Sequence, residues 1–305
     1  MKNRWVLQTF LRRSFIDYKF SVDLPEAQLC TRKFTLKTAK ALYALYDSKA
    51  QCFSHIDNFR NKANKALGSC PYCGLPSNVT LDHYLPRNIE AFPEFSILTE
   101  NLIPACNKYQ SAKGEFFSKL KPSLSTRKNS FKNKLTQNTR KKFISTKFRK
   151  IIRTRPTFKQ YPPRLIHPYL DCFIGAPIIR VKKEPTTLDF VTSASGKLSR
   201  RDRRNLIFHI NKLNISDRAS SYAEKYWLAL ISDFKDRAIT STALAKAELD
   251  HQLNSAYERS GKPINSIEIS LIRSIREDEK SISHLVDSSM AQPPTKILIS
   301  KAIRL

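Results

Sequence analysis

The segment from residue 70 to residue 114 constrains the fold of this chain more than any other. Its sequence elements are CPYC at 70–73, LDHYLP at 81–86, NLIPAC at 101–106 and KG at 113–114. An Asp-His pair alone is common and is more often structural than catalytic. The joint occurrence of all four elements, in this order and at these spacings, favours a catalytic centre. We therefore interpret residues 68–115 as a candidate catalytic module.

The polar side chains of this module predict one particular chemistry. Asp82 and the amide residues Asn101 and Gln110 offer oxygen atoms, which are the ligands that Mg²⁺ prefers. His83 follows Asp82 directly, and a neutral imidazole near pH 7 can act as a general base. A divalent cation beside a general base is what the hydrolysis of a phosphodiester requires.

Charge predicts a partner that suits such a site. The chain has 54 Lys and Arg residues against 26 Asp and Glu residues, a formal net charge of +28 and a sequence pI near 10.0. This excess attracts polyanions over long range. Charge alone leaves open a ribosomal-type or merely soluble basic protein. The content of 41% hydrophobic residues predicts a globular chain.

The cysteines and the hydropathy indicate a reducing compartment. No stretch approaches the roughly 18 apolar residues of a membrane span, and the amino terminus lacks the pattern of a secretory signal. The six cysteines are scattered apart from the CPYC pair, which makes a disulfide framework improbable. We expect a cytoplasmic protein.

The four sequence elements resemble those of the HNH (ββα-metal, His-Me finger) nucleases. By position, the resemblance implies that Asp82 and Gln110 bind a catalytic Mg²⁺ or Mn²⁺, that His83 is the general base, and that Asn101 braces the loop that carries the base. Gln110 departs from the family, which has Asn or His there, and its side chain is one methylene longer than that of Asn. Lys113 is expected to contact nucleic acid.

The resemblance also implies a structural zinc knuckle. Many relatives hold Zn²⁺ with two Cys-x-x-Cys pairs. Here the first pair is Cys70 and Cys73, whereas the second keeps Cys106 and has Tyr109 in place of its partner. Three thiolates leave a tetrahedral zinc ion one ligand short. Either another residue completes the site, or the metal is lost and packing replaces it.

The predicted fold class is α+β and mostly helical, with a small ββα-metal module. The predicted regions are a helical lead-in at 1–67 with helical spacing of apolar residues over 36–67, the module at 68–115, a basic arm at 116–160 and a mainly helical domain at 161–305. In the module we predict a strand over 79–81, a loop over 92–101 and a helix over 106–120. In the last region we predict strands at 177–181 and 187–191, helices at 199–213, 216–234, 240–260 and 266–276, and an N-cap at Ser216-Asp217.

The basic arm is the candidate nucleic-acid interface. Between residues 116 and 170 there are 16 Lys and Arg residues and no acidic residue. Such a block repels itself and stays loose until it meets a polyanion, although a merely solvated linker is the alternative. The residues expected to contact nucleic acid are Arg140, Lys141, Lys142, Arg149 and Lys150.

A subgroup of the HNH family shares further sequence with residues 68–195. LDHYLP, FPEFS at 92–96, NLIPAC and HPYLD at 167–171 resemble the HNH subunits of Septu-type and retron-associated antiphage systems. This resemblance implies a defence nuclease that works with an ABC/SMC-like ATPase and with a retron reverse transcriptase and its RNA–DNA hybrid. His167 is expected to be structural.

Three functions remain open from the sequence. The first is an active endonuclease on DNA or RNA. The second is a catalytically impaired, nucleic-acid-binding subunit of a defence complex. The third is a basic, RNA-associated structural protein in which the module is only a degenerate zinc knuckle.

Overall fold

The computed structural model describes residues 17–24, 34–48, 51, 54, 56–58, 70–117, 161–184, 190–194, 196–258 and 264–291. These residues form a mixed α+β fold, mostly helical, with two small antiparallel sheets. The predicted fold class is confirmed at this level. In chain order the elements are α1 (Leu36–Ala44), β1 (Val79–His83), β2 (Leu102–Cys106), α2 (Asn107–Lys113), β3 (Ile179–Lys183), β4 (Phe190–Ala194), α3 (Arg200–Lys212), α4 (Ile215–Asp236), α5 (Thr242–Glu258), α6 (Ile267–Arg276) and α7 (Glu279–Met290).

The first sheet and α2 carry the sequence elements of the candidate module. β1 pairs with β2 in an antiparallel register that places Val79 opposite Cys106 at one end and His83 opposite Leu102 at the other. The predicted helix over 106–120 is wrong in length, because α2 ends before Gly114. That glycine has φ +52 and donates its N–H to the carbonyl of Gln110, as a helix-terminating residue does.

The loop between β1 and β2 contains two short 3₁₀ turns, Pro93–Phe95 and Thr99–Asn101. The predicted loop over 92–101 is therefore confirmed. Phe92 and Phe95 of this loop are fully buried, so the loop packs into the interior on its own aromatic side chains.

The region with helical spacing over 36–67 is not one continuous helix in its described part. α1 continues as a 3₁₀ turn over Leu45–Asp47, and Ser48 is extended at φ −68 and ψ 134. Arg87 holds this turn, because its guanidinium donates to the Tyr43 carbonyl and to the Asp47 carboxylate, both at 3.0 Å. Residues 56–58 are helical again, and residues 59–67 lie outside the described part.

The carboxy-terminal elements follow the predictions with shifted boundaries. The two strands start two or three residues later than predicted, and α3 to α6 match the four predicted helices. The predicted N-cap at Ser216-Asp217 is wrong, since Asn214 caps α4 in the left-handed conformation at φ +47. The sequence analysis missed α7.

One cluster of buried apolar side chains runs from Tyr18 through the module to Val286 on α7. Gly74 lies where the cysteine knuckle meets α6. Its carbonyl accepts from Ile267 N at 3.0 Å, and a Cβ at Gly74 would lie 2.6 Å from the Asn265 carbonyl oxygen. Only glycine fits here, and the knuckle is thereby fixed to the helical region. The division into four regions stays a prediction.

Within the described ranges no helix has the length and apolar character that a membrane crossing requires.

Candidate active site and thiolate cluster

The three predicted zinc ligands meet at one end of the β1–β2 hairpin. The sulfur atoms of Cys70, Cys73 and Cys106 are buried and all lie within 4.8 Å of one another. Cys73 Sγ and Cys106 Sγ are 3.8 Å apart. Tetrahedral zinc with Zn–S bonds of about 2.3 Å requires sulfur atoms about 3.8 Å apart. The cluster can therefore hold a metal ion such as zinc.

Local backbone geometry brings the three sulfurs together. The Gly74 N–H donates to the Cys70 carbonyl at 2.8 Å, which closes the CPYCG turn. Cys106 ends β2 and caps α2, and its sulfur accepts from Tyr109 N at 3.3 Å. Hydrogen bonds with the other two thiols lower the pKa of Cys106 far below that of an ordinary thiol.

Tyr109 packs beside the cluster, at the position where the predicted knuckle lacks its fourth cysteine. Its ring is fully buried and stacks on Tyr72, with centroids 3.8 Å apart and planes 15° apart. On the other side of Tyr72, His209 binds the Tyr72 carbonyl through Nε2 at 2.8 Å. Packing against the helical region therefore takes up the space beside the cluster.

Asp82 lies near the opposite end of the hairpin and is paired with Lys113 of α2. Asp82 Oδ2 is 3.0 Å from Lys113 Nζ, and the two side chains are 22% and 2% exposed. Lys113 Nζ also donates to the His83 carbonyl at 2.7 Å. In this arrangement the ammonium contacts acceptors of the protein, and its predicted contact with nucleic acid stays a prediction.

His83 is buried next to Asp82, with 8% of its surface exposed. Its Nε2 lies 2.8 Å from the Ser96 carbonyl oxygen. A carbonyl only accepts, so Nε2 carries the proton and Nδ1 is the basic nitrogen. Burial lowers the pKa of His83 to about 4, and the side chain is therefore neutral at pH 7.

Asn101 holds the loop that follows His83. Its Oδ1 accepts from Leu85 N at 2.8 Å, and its Nδ2 donates to the carbonyls of Leu85 and Phe95 at 3.0 and 3.1 Å. The side chain is fully buried. Asn101 thus fixes both ends of the loop rather than facing a ligand.

Gln110 projects from α2 towards β1. Its Nε2 donates to Thr80 Oγ1 at 2.6 Å and to the Ala105 carbonyl at 3.1 Å. Thr80 and Asp82 are two residues apart on β1 and share a face of the strand. Gln110 therefore lies against the face of β1 that carries Asp82. The amide oxygen of Gln110 and the carboxylate of Asp82 are the types of donor that fit Mg²⁺ or Mn²⁺.

A buried hydrogen-bond network contacts this site through Asn101, and the sequence analysis missed most of its members. Tyr18 Oη lies 2.9 Å from His167 Nε2 and 3.1 Å from Asn101 Oδ1. The His167 N–H donates to Asp171 Oδ2 at 2.7 Å, and Arg164 pairs with both oxygens of that carboxylate. The HPYLD sequence at 167–171 was the only pattern that pointed to this network. No sequence pattern indicated that Tyr18 belongs to it.

The 3₁₀ turn after α1 covers His83, which sequence reasoning also missed. The Tyr46 ring meets the His83 ring edge-on, with centroids 4.6 Å apart. The Arg87 guanidinium lies over the rings of Tyr43 and Tyr46, at 4.4 and 4.6 Å. No spacing in the sequence links Arg87 to an element more than forty residues before it.

The arm residues Arg140, Lys141, Lys142, Arg149 and Lys150 lie outside the described residues. Comparisons of the chain with models of known families, with curated proteins and with solved structures found no match.

Proposed function

We propose that the chain is an endonuclease that hydrolyses phosphodiester bonds of DNA or RNA, with His83 as the general base and one Mg²⁺ or Mn²⁺ as cofactor. The observation that carries this proposal is the state of His83. Its Nε2–H is fixed by the Ser96 carbonyl and its basic Nδ1 has no partner among the described residues. A neutral imidazole with one free nitrogen, next to a carboxylate, is ready to accept a proton from water.

Proton transfer to His83 follows from its surroundings. Hydrogen bonding by Ser96 fixes the tautomer and the orientation of the ring, so Nδ1 takes the proton. A pKa of about 4 makes a weak base, but the negative charge of a bound phosphodiester raises the pKa of a neighbouring imidazole.

Asp82 and Gln110 are the residues that would hold the divalent ion, through Asp82 Oδ1 and Gln110 Oε1. When bound, this ion supplies charge stabilisation to the phosphoryl group. Lys113 holds the other oxygen of Asp82 and so orients the carboxylate. Asn101 keeps the loop after His83 at a fixed distance from β2 through its hydrogen bonds to Leu85.

The excess positive charge of the chain supports a polyanionic substrate. We propose that the arm at 116–160 supplies most of the non-specific affinity. The resemblance to antiphage subunits supports a role as effector of a bacterial defence complex, together with an ATPase chain and, in retron systems, a reverse transcriptase with its RNA–DNA hybrid.

A catalytically impaired binding subunit is the second candidate. The pairing of Asp82 with Lys113 and the cover of Tyr46 over His83 favour it, because both oppose access to the site. In that case the chain binds nucleic acid without hydrolysing it.

A cleavage assay with His83→Ala separates these two functions. We expect the parent to cleave DNA or RNA in Mg²⁺ or Mn²⁺, and the variant to lose on the order of 10²- to 10⁴-fold in rate while binding equally well. His251→Ala is the matched control, because His251 is exposed on α5. Equal rates for the parent and His83→Ala would rule out the proposed mechanism, and a parent that binds without cleaving would establish the second candidate.

A further inference from the structure

The thiolate cluster is one ligand short of the four that structural zinc requires. Within the described residues, no other His, Cys, Asp or Glu side chain joins Cys70, Cys73 and Cys106. Tyr109 is engaged in its stack on Tyr72. The missing ligand therefore has to come from a side chain of another type or from solvent.

The strand register brings Ser77 to the cluster. Val79 lies directly opposite Cys106 in the β1–β2 pair, and directly opposed residues of an antiparallel pair project to the same face. Ser77 precedes Val79 by two residues, so an extended chain carries its side chain towards that face as well. Only three residues separate Ser77 from Cys73.

Among the described residues, the buried Ser77 hydroxyl has no hydrogen-bond partner of ordinary geometry. The strand register and the short connection from Cys73 place this hydroxyl at the end of the hairpin that holds Cys106. A buried oxygen atom without another partner thus lies at the same end of the hairpin as the three sulfur atoms.

We propose that Ser77 Oγ is the fourth ligand of a zinc ion held by Cys70, Cys73 and Cys106. The hydroxyl takes the coordination position that a fourth cysteine fills in a complete set. It is neutral and harder than a thiolate, so the site binds Zn²⁺ more weakly than four thiolates do. The site is closed to solvent at Ser77 Oγ, which makes its role structural rather than catalytic.

Cobalt substitution of purified protein tests the proposal without any measurement of cleavage. The variants are Ser77→Ala and Ser77→Cys, with Ser193→Cys as the matched control that adds an exposed thiol on β4. The readouts are the visible absorption of bound Co²⁺ and the Zn²⁺ affinity in competition with a chelator. Thermal unfolding of each variant verifies that it is folded.

We expect the parent to bind one Co²⁺ with the spectrum of three thiolates and one oxygen. Ser77→Cys should shift the absorption to longer wavelength and raise Zn²⁺ affinity by at least about tenfold, because thiolates favour zinc. Ser77→Ala should lower the affinity, and Ser193→Cys should match the parent. The proposal is overturned if Ser77→Cys matches the parent in both readouts, or if the folded parent binds neither metal. None of these outcomes depends on whether the chain is a nuclease.

Discussion

The two ends of the β1–β2 hairpin differ in how ready they are for a metal ion. At the Val79–Cys106 end, three sulfur atoms already lie within 4.8 Å of one another. At the His83–Leu102 end, the carboxylate of Asp82 already has a cation, the buried ammonium of Lys113. One end of the hairpin therefore presents gathered metal ligands, whereas at the other end a cation of the protein already neutralises the carboxylate.

This difference follows from the partners that each end has. The cysteine knuckle is fixed to α6 through Gly74 and to α3 through His209, so its geometry is set by the core. The His83–Leu102 end, called the acidic end below because it carries Asp82, is covered by the 3₁₀ turn after α1. This turn packs on it through Tyr46 and Arg87. A site fixed by the core is suited to a permanent structural ion. A site under a surface turn can be opened and closed.

Removal of metal from the thiolate end should have the largest effect on stability. Zinc at a thousandfold excess over its dissociation constant contributes about 4 kcal/mol to the free energy of unfolding. We expect Cys73→Ser, or a chelator, to remove that contribution, as measured by urea denaturation with and without added Zn²⁺. Cys172→Ser, at an exposed cysteine, is the control. A parent insensitive to both zinc and chelator would show that packing alone holds this end.

Loss of Asn101 should destabilise the acidic end next most strongly. Asn101→Ala leaves the Leu85 N–H and two carbonyls without partners, at a cost of about 1–3 kcal/mol per buried donor or acceptor. Chemical denaturation measures the loss, and Asn107→Ala, at an exposed residue of α2, is the matched control. Equal stability of the two variants would show that the loop does not depend on this amide.

Replacing Lys113 with a neutral residue should raise the metal affinity of the hairpin end that carries Asp82. Lys113→Met keeps the length of the buried stem and frees Asp82 Oδ2, so we expect Mn²⁺ to bind about tenfold more tightly because the competing positive charge is gone. Calorimetric titration measures the change. Lys108→Met, on the exposed face of α2, should leave Mn²⁺ affinity nearly unaltered. Weaker binding by Lys113→Met would show that Lys113 assists metal binding instead.

Acid should weaken the folded state through the buried His83. Its pKa is about 4 when folded, below the 6.5 of an ordinary imidazole, so the unfolded chain binds a proton first as the pH falls. The stability due to neutral His83 is therefore present above pH 6.5 and is lost progressively down to about pH 4. Unfolding free energies at pH 7 and pH 4.5 for the parent and His83→Gln measure this. An equal loss in both would assign the pH dependence to other groups, including His167 and His209, whose pKa values burial also lowers.

Local patterns accounted for much of the fold but not for its long-range contacts. The periodic helices α3 to α6 were predictable because each carries its own apolar face, and the cysteine cluster was predictable from the CPYC and NLIPAC sequences. The 3₁₀ turn after α1 was not, because the Arg87 side chain that binds Asp47 comes from forty residues further along the chain. The contact of Lys113 with Asp82 was not predictable either, because no local pattern indicates that α2 turns this lysine towards Asp82.

Manganese binding to zinc-loaded protein tests most directly whether the two ends hold different ions. Electron paramagnetic resonance of added Mn²⁺ would be compared for the parent, Asp82→Asn and Cys70→Ser, with zinc content measured on the same samples. The account predicts that Asp82→Asn keeps its zinc and loses at least about tenfold in Mn²⁺ affinity, whereas Cys70→Ser loses zinc. Undiminished Mn²⁺ binding by Asp82→Asn would contradict the assignment of Asp82 as the ligand of a catalytic ion.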